Sequence, residues 1–239
     1  MADNNEDNPE TQRAKALLAK LSPTQINGFR SSLSDLPGMS PKHLQEFVTS
    51  LLKMLSSEEM AALPYIFDQR SGRNLGGFLA EYASQGWGGG YNSLFRKVAK
   101  AGFDMTVQQG NGRYPVIEAF RCDIDNLNEN DIKFAMRCGF DPLAYFPYVE
   151  EGESLLSLDL EDYQEPLITF ISDIVERHLN KLPREQRMEK IELLRPTAIA
   201  AYTPLFSKMT RELLHDEAAQ NRKNGTRQKT AKSLNTPRF

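Results

Sequence analysis

Apolar residues recur at spacings of three and four along residues 11–69, which is the pattern of helices with one buried face. Ser22-Pro23 and Ser40-Pro41 each provide an N-cap followed by a proline in the first helical turn. Ser56 and Glu59 have the spacing of a capping box. We therefore predict a packed N-terminal helical region over residues 11–69, preceded by an acidic N-terminus over residues 1–10 that we expect to be disordered.

A repeat with a period near forty residues begins after this region. Gly72-Arg73 returns forty residues later as Gly112-Arg113, and Gly152-Glu153 follows after forty more. A constant period of this length is typical of stacked helical repeats, in which each unit buries its apolar face against the next. We place the three units at about 70–109, 110–149 and 150–182.

The first two units also share their closing sequence. Ala101-Gly102-Phe103-Asp104 and Cys138-Gly139-Phe140-Asp141 lie thirty-seven residues apart. A glycine suits this point, because a helix commonly ends in a left-handed backbone conformation that a Cβ atom would strain. We therefore expect one helix to end at Gly102 and another at Gly139.

The second unit resembles an ankyrin repeat, whose pattern is approximately Gly-x-Thr-Pro-Leu-His-x-Ala, then a second helix, then Gly-Ala-Asp. Tyr114 and Ile117 stand where the family has Thr and His, so the hydrogen bonds that those two residues make in typical repeats are missing. The third unit departs further, with Leu155 where proline is usual. The residues that match the pattern are Gly112, Pro115, Val116, Ala119, Gly139 and Asp141.

The resemblance implies an all-α fold, in which the N-terminal helical region precedes a short degenerate ankyrin-like helical repeat array over residues 70–182. Residues 183–220 are expected to form a C-terminal helical cap, because the last unit of a stacked array must hide one apolar side. One capping helix is predicted from Arg184 to Leu194, and another from Pro196 to about Ala219 with an interruption near Thr203-Pro204.

In proteins that resemble this one, a partner protein usually docks on a concave surface formed by the inner helices and the turns between units. Those turns correspond to Met105–Tyr114 and Leu143–Glu151 in this chain. The resemblance therefore implies a non-catalytic scaffold for protein–protein interaction. The contact residues that we predict are Gln109, Asn111, Arg113 and Tyr114 in the first turn, and Phe146, Tyr148, Glu150 and Glu151 in the second.

Aromatic residues in these stretches have two interpretations. Tyr145, Phe146 and Tyr148 are either contact residues or part of the core. Trp87, which lies among the glycines of Gly86–Gly90, is included with the predicted contact residues because tryptophan is enriched at binding hot spots. The alternative for Trp87 is a loop anchor packed on the array.

The charge distribution suggests what kind of partner to expect. The formal net charge is only −3, which does not favour nucleic acid or a membrane surface. Between Arg137 and Arg177 the chain has ten acidic residues and no basic one, which favours a partner with a basic surface or is simply a solvated face. Residues 221–239 have six basic side chains and no acidic one, and we expect this tail to be disordered without specific nucleic-acid binding. It is interpreted as a solubilising segment, as a weak contact for nucleic acid or a membrane, or as an export or localisation signal.

No cofactor or metal is predicted. Cys122 and Cys138 are too few for a disulfide framework or a zinc site and are interpreted as small core residues in a reducing compartment. The three histidines lack metal-ligand spacing; we interpret His43 and His215 as surface residues and His178 as a residue near a helix end. The apolar runs are too short for a transmembrane segment, and the N-terminus lacks the plan of a signal peptide, so we expect a cytoplasmic protein.

No motif supports an enzyme. Gly110-Asn111-Gly112-Arg113 matches the end of the Fic-family motif, but Met105 stands where that motif has its catalytic histidine. The Gly86–Gly90 segment lacks the Lys-Ser or Lys-Thr of a P-loop. Two alternatives to a plain scaffold remain: a bacterial effector delivered into host cells, acting by binding or by an unrecognised activity, and an inhibitor that masks a target enzyme.

Overall fold

The computed structural model describes residues 9–84, 93–147, 152–161 and 164–215. These residues are mainly helical and include no β-strand, which confirms the expected all-α fold. The extended pairing that they do contain joins Phe146 and Glu153, whose backbones exchange two hydrogen bonds of 2.7 Å. No helix within these ranges combines the length and the apolar character that crossing a membrane requires.

The N-terminal region is built from helices that begin where the sequence predicts. Ser22 and Ser56 each form a capping box, with Gln25 and Glu59 respectively returning a side-chain bond to the cap backbone. Ser40 accepts a hydrogen bond from the N–H of His43. The helices of this region are α1 (Pro9–Leu18), α2 (Pro23–Asp35), α3 (Pro41–Met54) and α4 (Ser57–Ala62).

Two helix pairs follow the N-terminal region. The first pair is α5 (Leu75–Ser84) and α6 (Ser93–Lys100), and the second is α7 (Pro115–Cys122) and α8 (Glu129–Arg137). The first helices of the two pairs, α5 and α7, make the most extensive contact between any two of the described elements. This contact sets the second pair directly beside the first.

The glycines that end the two pairs have the backbone conformation predicted for them. Gly102 has a φ of +108° and Gly139 a φ of +98°. The next residue in each pair, Phe103 or Phe140, donates its N–H five residues back along the chain, at 3.2 Å and 3.0 Å. This bond is the mark of a Schellman helix end, which a glycine in the left-handed region permits.

The predicted third unit is built differently. Leu155–Ser157 forms a single 3-10 turn where the unit would have its first helix. Helix α9 (Glu165–Leu179) follows and corresponds to the second helix of a unit. Since Leu155 replaces the proline that usually starts the first helix, the sequence lacks the residue whose fixed backbone favours that start.

The second of the two C-terminal helices begins later than the sequence predicts. Helix α10 (Arg184–Leu194) has the predicted bounds. The sequence predicts the second helix from Pro196, but 3-10 turns at Arg195–Thr197 and Ala200–Tyr202 occupy that stretch, and helix α11 spans residues 203–215. A proline is tolerated in the first turn of a helix, so Pro204 marks where α11 starts and not an interruption within it.

Hydrogen bonds attach the C-terminal helices to the third unit. Ile199 donates its N–H to the carbonyl of Leu156 at 3.0 Å, and the hydroxyls of Ser154 and Thr197 are 2.8 Å apart. A continuous apolar core runs from Leu21 to Leu213 through all these elements. The N-terminal region, the helix pairs and the C-terminal helices therefore share one core.

The close contact between α5 and α7 depends on the absence of a side chain at Gly76. A Cβ atom at this position would lie 2.8 Å from Cβ of Pro115 and 2.9 Å from Cε1 of Phe103. A proline ring and a phenyl ring cannot turn aside as the end of a flexible side chain would. Gly76 is therefore required for the two helices to pack at this distance.

We expect Gly76→Ala to lower the free energy of unfolding by about 1–3 kcal/mol, because overpacking outweighs the gain in helix propensity of at most about 1 kcal/mol. Gly28→Ala is the matched control, since Gly28 also lies in a helix and a Cβ there would meet nothing within 4 Å. Urea unfolding followed by circular dichroism measures both. Equal stability of the two variants would contradict this account of the contact.

Candidate protein-binding surface

The turn before α5 is closed by backbone hydrogen bonds and held by a buried carboxylate. Asp68 donates its N–H to the carbonyl of Arg73 at 2.8 Å, and Gly72 donates to the carbonyl of Asp68 at 2.9 Å. The Asp68 carboxylate accepts hydrogen bonds from the hydroxyls of Ser34 and Ser71 and from the N–H of Ser71, each at 2.7 Å. Asp68 thereby fastens the turn to helix α2.

The turn before α7 closes in a similar way and lies against the first. Gln109 donates its N–H to the carbonyl of Arg113 at 2.8 Å, and Gly112 donates to the carbonyl of Gln109 at 3.0 Å. A Cβ atom at Gly72 would stand only 2.7 Å from the backbone nitrogen of Asn111. The backbones of the two turns are therefore in direct contact.

A third turn lies beside the second. We use this name for residues 146–147 and 152–153, where the backbones of Phe146 and Glu153 pair. The side-chain amide of Gln108 donates to the carbonyl of Gly112 at 2.9 Å and to that of Pro147 at 3.4 Å, which joins the second turn to the third. We use the name turn row for residues 68–73, 109–113, 146–147 and 152–153.

Buried polar side chains connect the first two turns to the core behind them. Asn74 caps α5 by accepting the N–H of Gly77 at 3.1 Å, and its amide donates to the carbonyl of Pro64 at 3.0 Å. The N–H of Asn74 donates to Oε1 of Gln109 at 3.2 Å, and Nε2 of Gln109 donates to Oε2 of Glu118 at 2.5 Å. These bonds join the N-terminal region, α5 and α7 in one polar chain.

Two ion pairs present arginines at this surface. Arg113 pairs with Glu118 at 3.2 Å, and Arg121 pairs with Glu153. The arginine side chains are 46 % and 45 % exposed, whereas the carboxylates that hold them are 11 % and 6 % exposed. The guanidinium groups therefore face outward from fixed, buried anchors.

A further ion pair joins the first turn to α5. Arg73 pairs with Glu81. Burial raises the pKa of the Cys122 thiol, and Glu118 and Glu81 raise it further while Arg73 and Arg113 oppose them. The Cys122 thiol of α7 is therefore within electrostatic range of charged groups on α5, on α7 and in the turns before them.

The contact residues predicted in the Met105–Tyr114 stretch and Phe146 divide into exposed and buried ones. Arg113 is exposed and Asn111 is half-buried, as a contact surface requires. Gln109, Tyr114 and Phe146 are buried, at 3 %, 8 % and 5 % exposed. These three side chains support the surface from beneath and leave little area for a partner.

The buried aromatic residues form a small cluster under the turn row. The rings of Tyr114 and Phe146 are 4.4 Å apart between centroids, and Phe140 stacks on Phe146 at 6.1 Å. Of the two interpretations of Phe146, its burial supports the core one. The predicted contact residues that lie outside the described ranges are Trp87, Tyr148, Glu150 and Glu151.

Sequence reasoning missed Asn74, Glu118, Arg121 and Glu153. Glu118 and Arg121 are three residues apart on α7, and that spacing indicates a shared helix face. No local pattern links Arg121 to Glu153, because the two are brought together by the fold from thirty-two positions apart.

The acid-rich span between Arg137 and Arg177 is only partly neutralised. Within it, Glu153 pairs with Arg121 and Glu176 pairs with Lys208. Five of its acids are exposed in the described ranges: Asp141, Asp159, Glu161, Glu165 and Asp173.

The other candidate chemistry is unremarkable where the structure describes it. Cys122 and Cys138 are half-buried free thiols. His43 and His215 are exposed, as predicted, and Nδ1 of His178 lies 2.8 Å from the carbonyl of Ile174 near the end of α9. In the described part of the chain, no group of three or more His, Cys, Asp or Glu side chains could hold a metal ion.

Comparisons of the chain with protein-family models, curated proteins and solved structures found no match.

The turn before α5 is expected to weaken in acid. Burial alone would raise the pKa of Asp68, but hydrogen bonds from Ser71, Ser34 and the backbone of Arg70 together hold it below its ordinary value. A carboxyl with a depressed folded-state pKa stabilises the protein above its unfolded pKa of about 4, and that stabilisation is lost as the pH falls through the folded pKa.

We therefore expect Asp68→Asn to be less stable than the wild type at pH 7 and to lose less of its unfolding free energy below about pH 4. Urea unfolding across an acid pH series measures how steeply the free energy of unfolding of each protein falls with pH. Asp159→Asn is the control, because Asp159 is exposed. Identical acid slopes in the wild type and Asp68→Asn would mean that Asp68 is not a source of the acid sensitivity.

Proposed function

We propose that this chain is a non-catalytic scaffold that binds another protein through the turn row and the charged face of α7. One observation carries this proposal: Arg113 and Arg121 are half exposed, and each is fixed by a carboxylate that is nearly buried. Arginine is enriched at binding hot spots, and a side chain already held in place loses less entropy when a partner arrives.

The architecture of an ankyrin-like array is part of the same proposal. Support comes from the two helix pairs, which follow turns of similar construction and end in the same left-handed glycine. The contact of α5 with α7 is the kind that stacked units make. In this interpretation, the buried chain of Asn74, Gln109 and Glu118 takes the place of the missing Thr and His bonds.

The chemistry of the partner follows from the charges that face solvent. Carboxylates of the partner would meet the guanidinium groups of Arg113 and Arg121. A basic region of the partner, which the acid-rich span favours, would meet the exposed acids of residues 159–173. We expect the encounter in the cytoplasm, or in a host cell if the chain is a delivered effector.

The test compares two double variants of the full-length chain as bait in a lysate. Arg113→Ala with Arg121→Ala removes two positive charges from the proposed surface. Lys97→Ala with Arg137→Ala removes the same charge from exposed positions on α6 and α8. We expect the first variant to bind the captured partner at least about tenfold more weakly than the wild type, and the second to bind it normally.

The partner is identified by mass spectrometry, and its Kd is then measured with the purified protein. Both variants must keep the helical circular dichroism of the wild type and remain folded under the conditions of the binding measurement. A partner that binds all three proteins equally would place the interface elsewhere. Turnover of a substrate by the wild type, without a stoichiometric complex, would favour an enzyme.

A further inference from the structure

A groove of about 600 Å³ lies between the 3-10 segment that follows α10 and helix α11. None of the residues that line it belongs to the turn row. Its lining combines arginines, short hydroxyl side chains and apolar side chains. A volume of this size is typical of sites that hold a ligand or part of a peptide.

The charged side chains that line the groove are both cationic. Arg195 and Arg211 belong to the lining, and no carboxylate does. Arg195 donates from Nη2 to the hydroxyl of Thr210 at 2.6 Å, and its guanidinium lies 5.9 Å from the ring centroid of Phe206. These two contacts hold the Arg195 side chain in place at the groove. An anion that pairs with Arg195 therefore costs little additional conformational entropy of this side chain.

The apolar part of the lining is open to solvent at one end. Leu214 is 59 % exposed, one of few large apolar side chains in the described residues that are exposed to this degree. Ile199 is half-buried and Phe206 lies beneath it in the core. An exposed leucine beside two guanidinium groups suits a ligand that carries both an apolar group and negative charge.

The shape of the groove follows from short side chains on α11. Thr203, Ser207 and Thr210 occupy the positions between the larger residues, which leaves room along the helix. From Thr203 to Leu214 the helix extends about 16 Å, the length of three turns of a second helix or of a short extended peptide. In helix-in-groove recognition, an amphipathic helix of the partner places its apolar anchor side chains in a groove of this kind.

We propose that this groove binds an acidic peptide segment of a partner protein. An apolar side chain of the peptide contacts Leu214 and Ile199, and its carboxylates pair with Arg195 and Arg211. A nucleic acid would use the two arginines and leave Leu214 without a partner, and a free phosphate ion would do the same. The combination of charge and apolar surface therefore favours a peptide, and the site is independent of the turn row.

The test is a titration of the ¹⁵N-labelled full-length chain, followed by amide chemical shifts. The probe is a helical peptide of about 16 residues with leucines along one face and glutamates beside them. The matched probe has lysine in place of every glutamate. We expect the acidic peptide to shift amides of α11 and residues 195–199 below about 1 mM, and the basic peptide to shift none of them.

Variants locate the binding site. Ser207→Trp fills the groove and is expected to abolish the shifts, whereas Glu212→Trp places the same side chain on α11 outside the lining and is expected to keep them. Arg195→Ala with Arg211→Ala is expected to weaken the acidic peptide at least about tenfold. Circular dichroism and the urea midpoint establish that each variant is folded.

Several results would overturn the proposal. These are no shift with the acidic peptide at about 1 mM, equal shifts with both peptides, or shifts that Ser207→Trp leaves unchanged. If sodium phosphate alone produces the same shifts, the groove binds small anions instead. If single-stranded oligothymidylate alone produces them, it binds nucleic acid. Because every variant here leaves the turn row intact, failure of this site is distinguishable from failure of the proposed scaffold surface.

Discussion

The buried amide of Gln109 is the interaction on which the arrangement of the first two helix pairs depends. Its oxygen accepts the N–H of Asn74 at the start of α5, and its nitrogen donates to Glu118 on α7. Each bond contributes only about 1 kcal/mol net, but a buried group left without a partner costs about 1–3 kcal/mol. A Cβ at Gly77 would lie 1.9 Å from the Gln109 oxygen, so the Gln109 side chain occupies the space that any side chain at position 77 of α5 would need.

Glu118 links the Gln109 amide to the protein surface. One of its oxygens accepts from Gln109 in the interior, and the other accepts from Arg113, which is exposed. The position of Arg113, which belongs to the proposed surface, therefore depends on a hydrogen bond in the core. This coupling explains why buried residues matter to the proposed surface although a partner would not touch them.

Local features of the fold could be predicted from sequence, because their causes lie within a few residues. The serine caps, the proline at the start of α7 and the left-handed glycines at 102 and 139 are of this kind. The burial of Tyr114 and Phe146 could not be predicted, because it depends on each packing against the other from thirty-two positions away. The ion pair between Arg121 and Glu153 could not be predicted either, nor could the 3-10 turns that precede α11.

The ion pairs differ between the stretches of sequence that lie forty residues apart. Arg73, in the first turn, pairs with Glu81 on α5. Forty residues on, the corresponding positions are Arg113 and Arg121, which have the same charge and would repel each other. Arg113 therefore pairs with Glu118, and Arg121 takes Glu153 from the third turn.

This change of sign has a structural consequence. An exposed ion pair contributes at most about 1 kcal/mol, but Glu153 is nearly buried, and a buried carboxylate without its cation is strongly destabilising. A turn carrying arginine at this position, as the first two turns do, would set two like charges together on α7. The pair of Arg121 with Glu153 therefore adds a charge constraint on the place of the third turn beside α7, in addition to the packing of the buried Leu155 and Leu156.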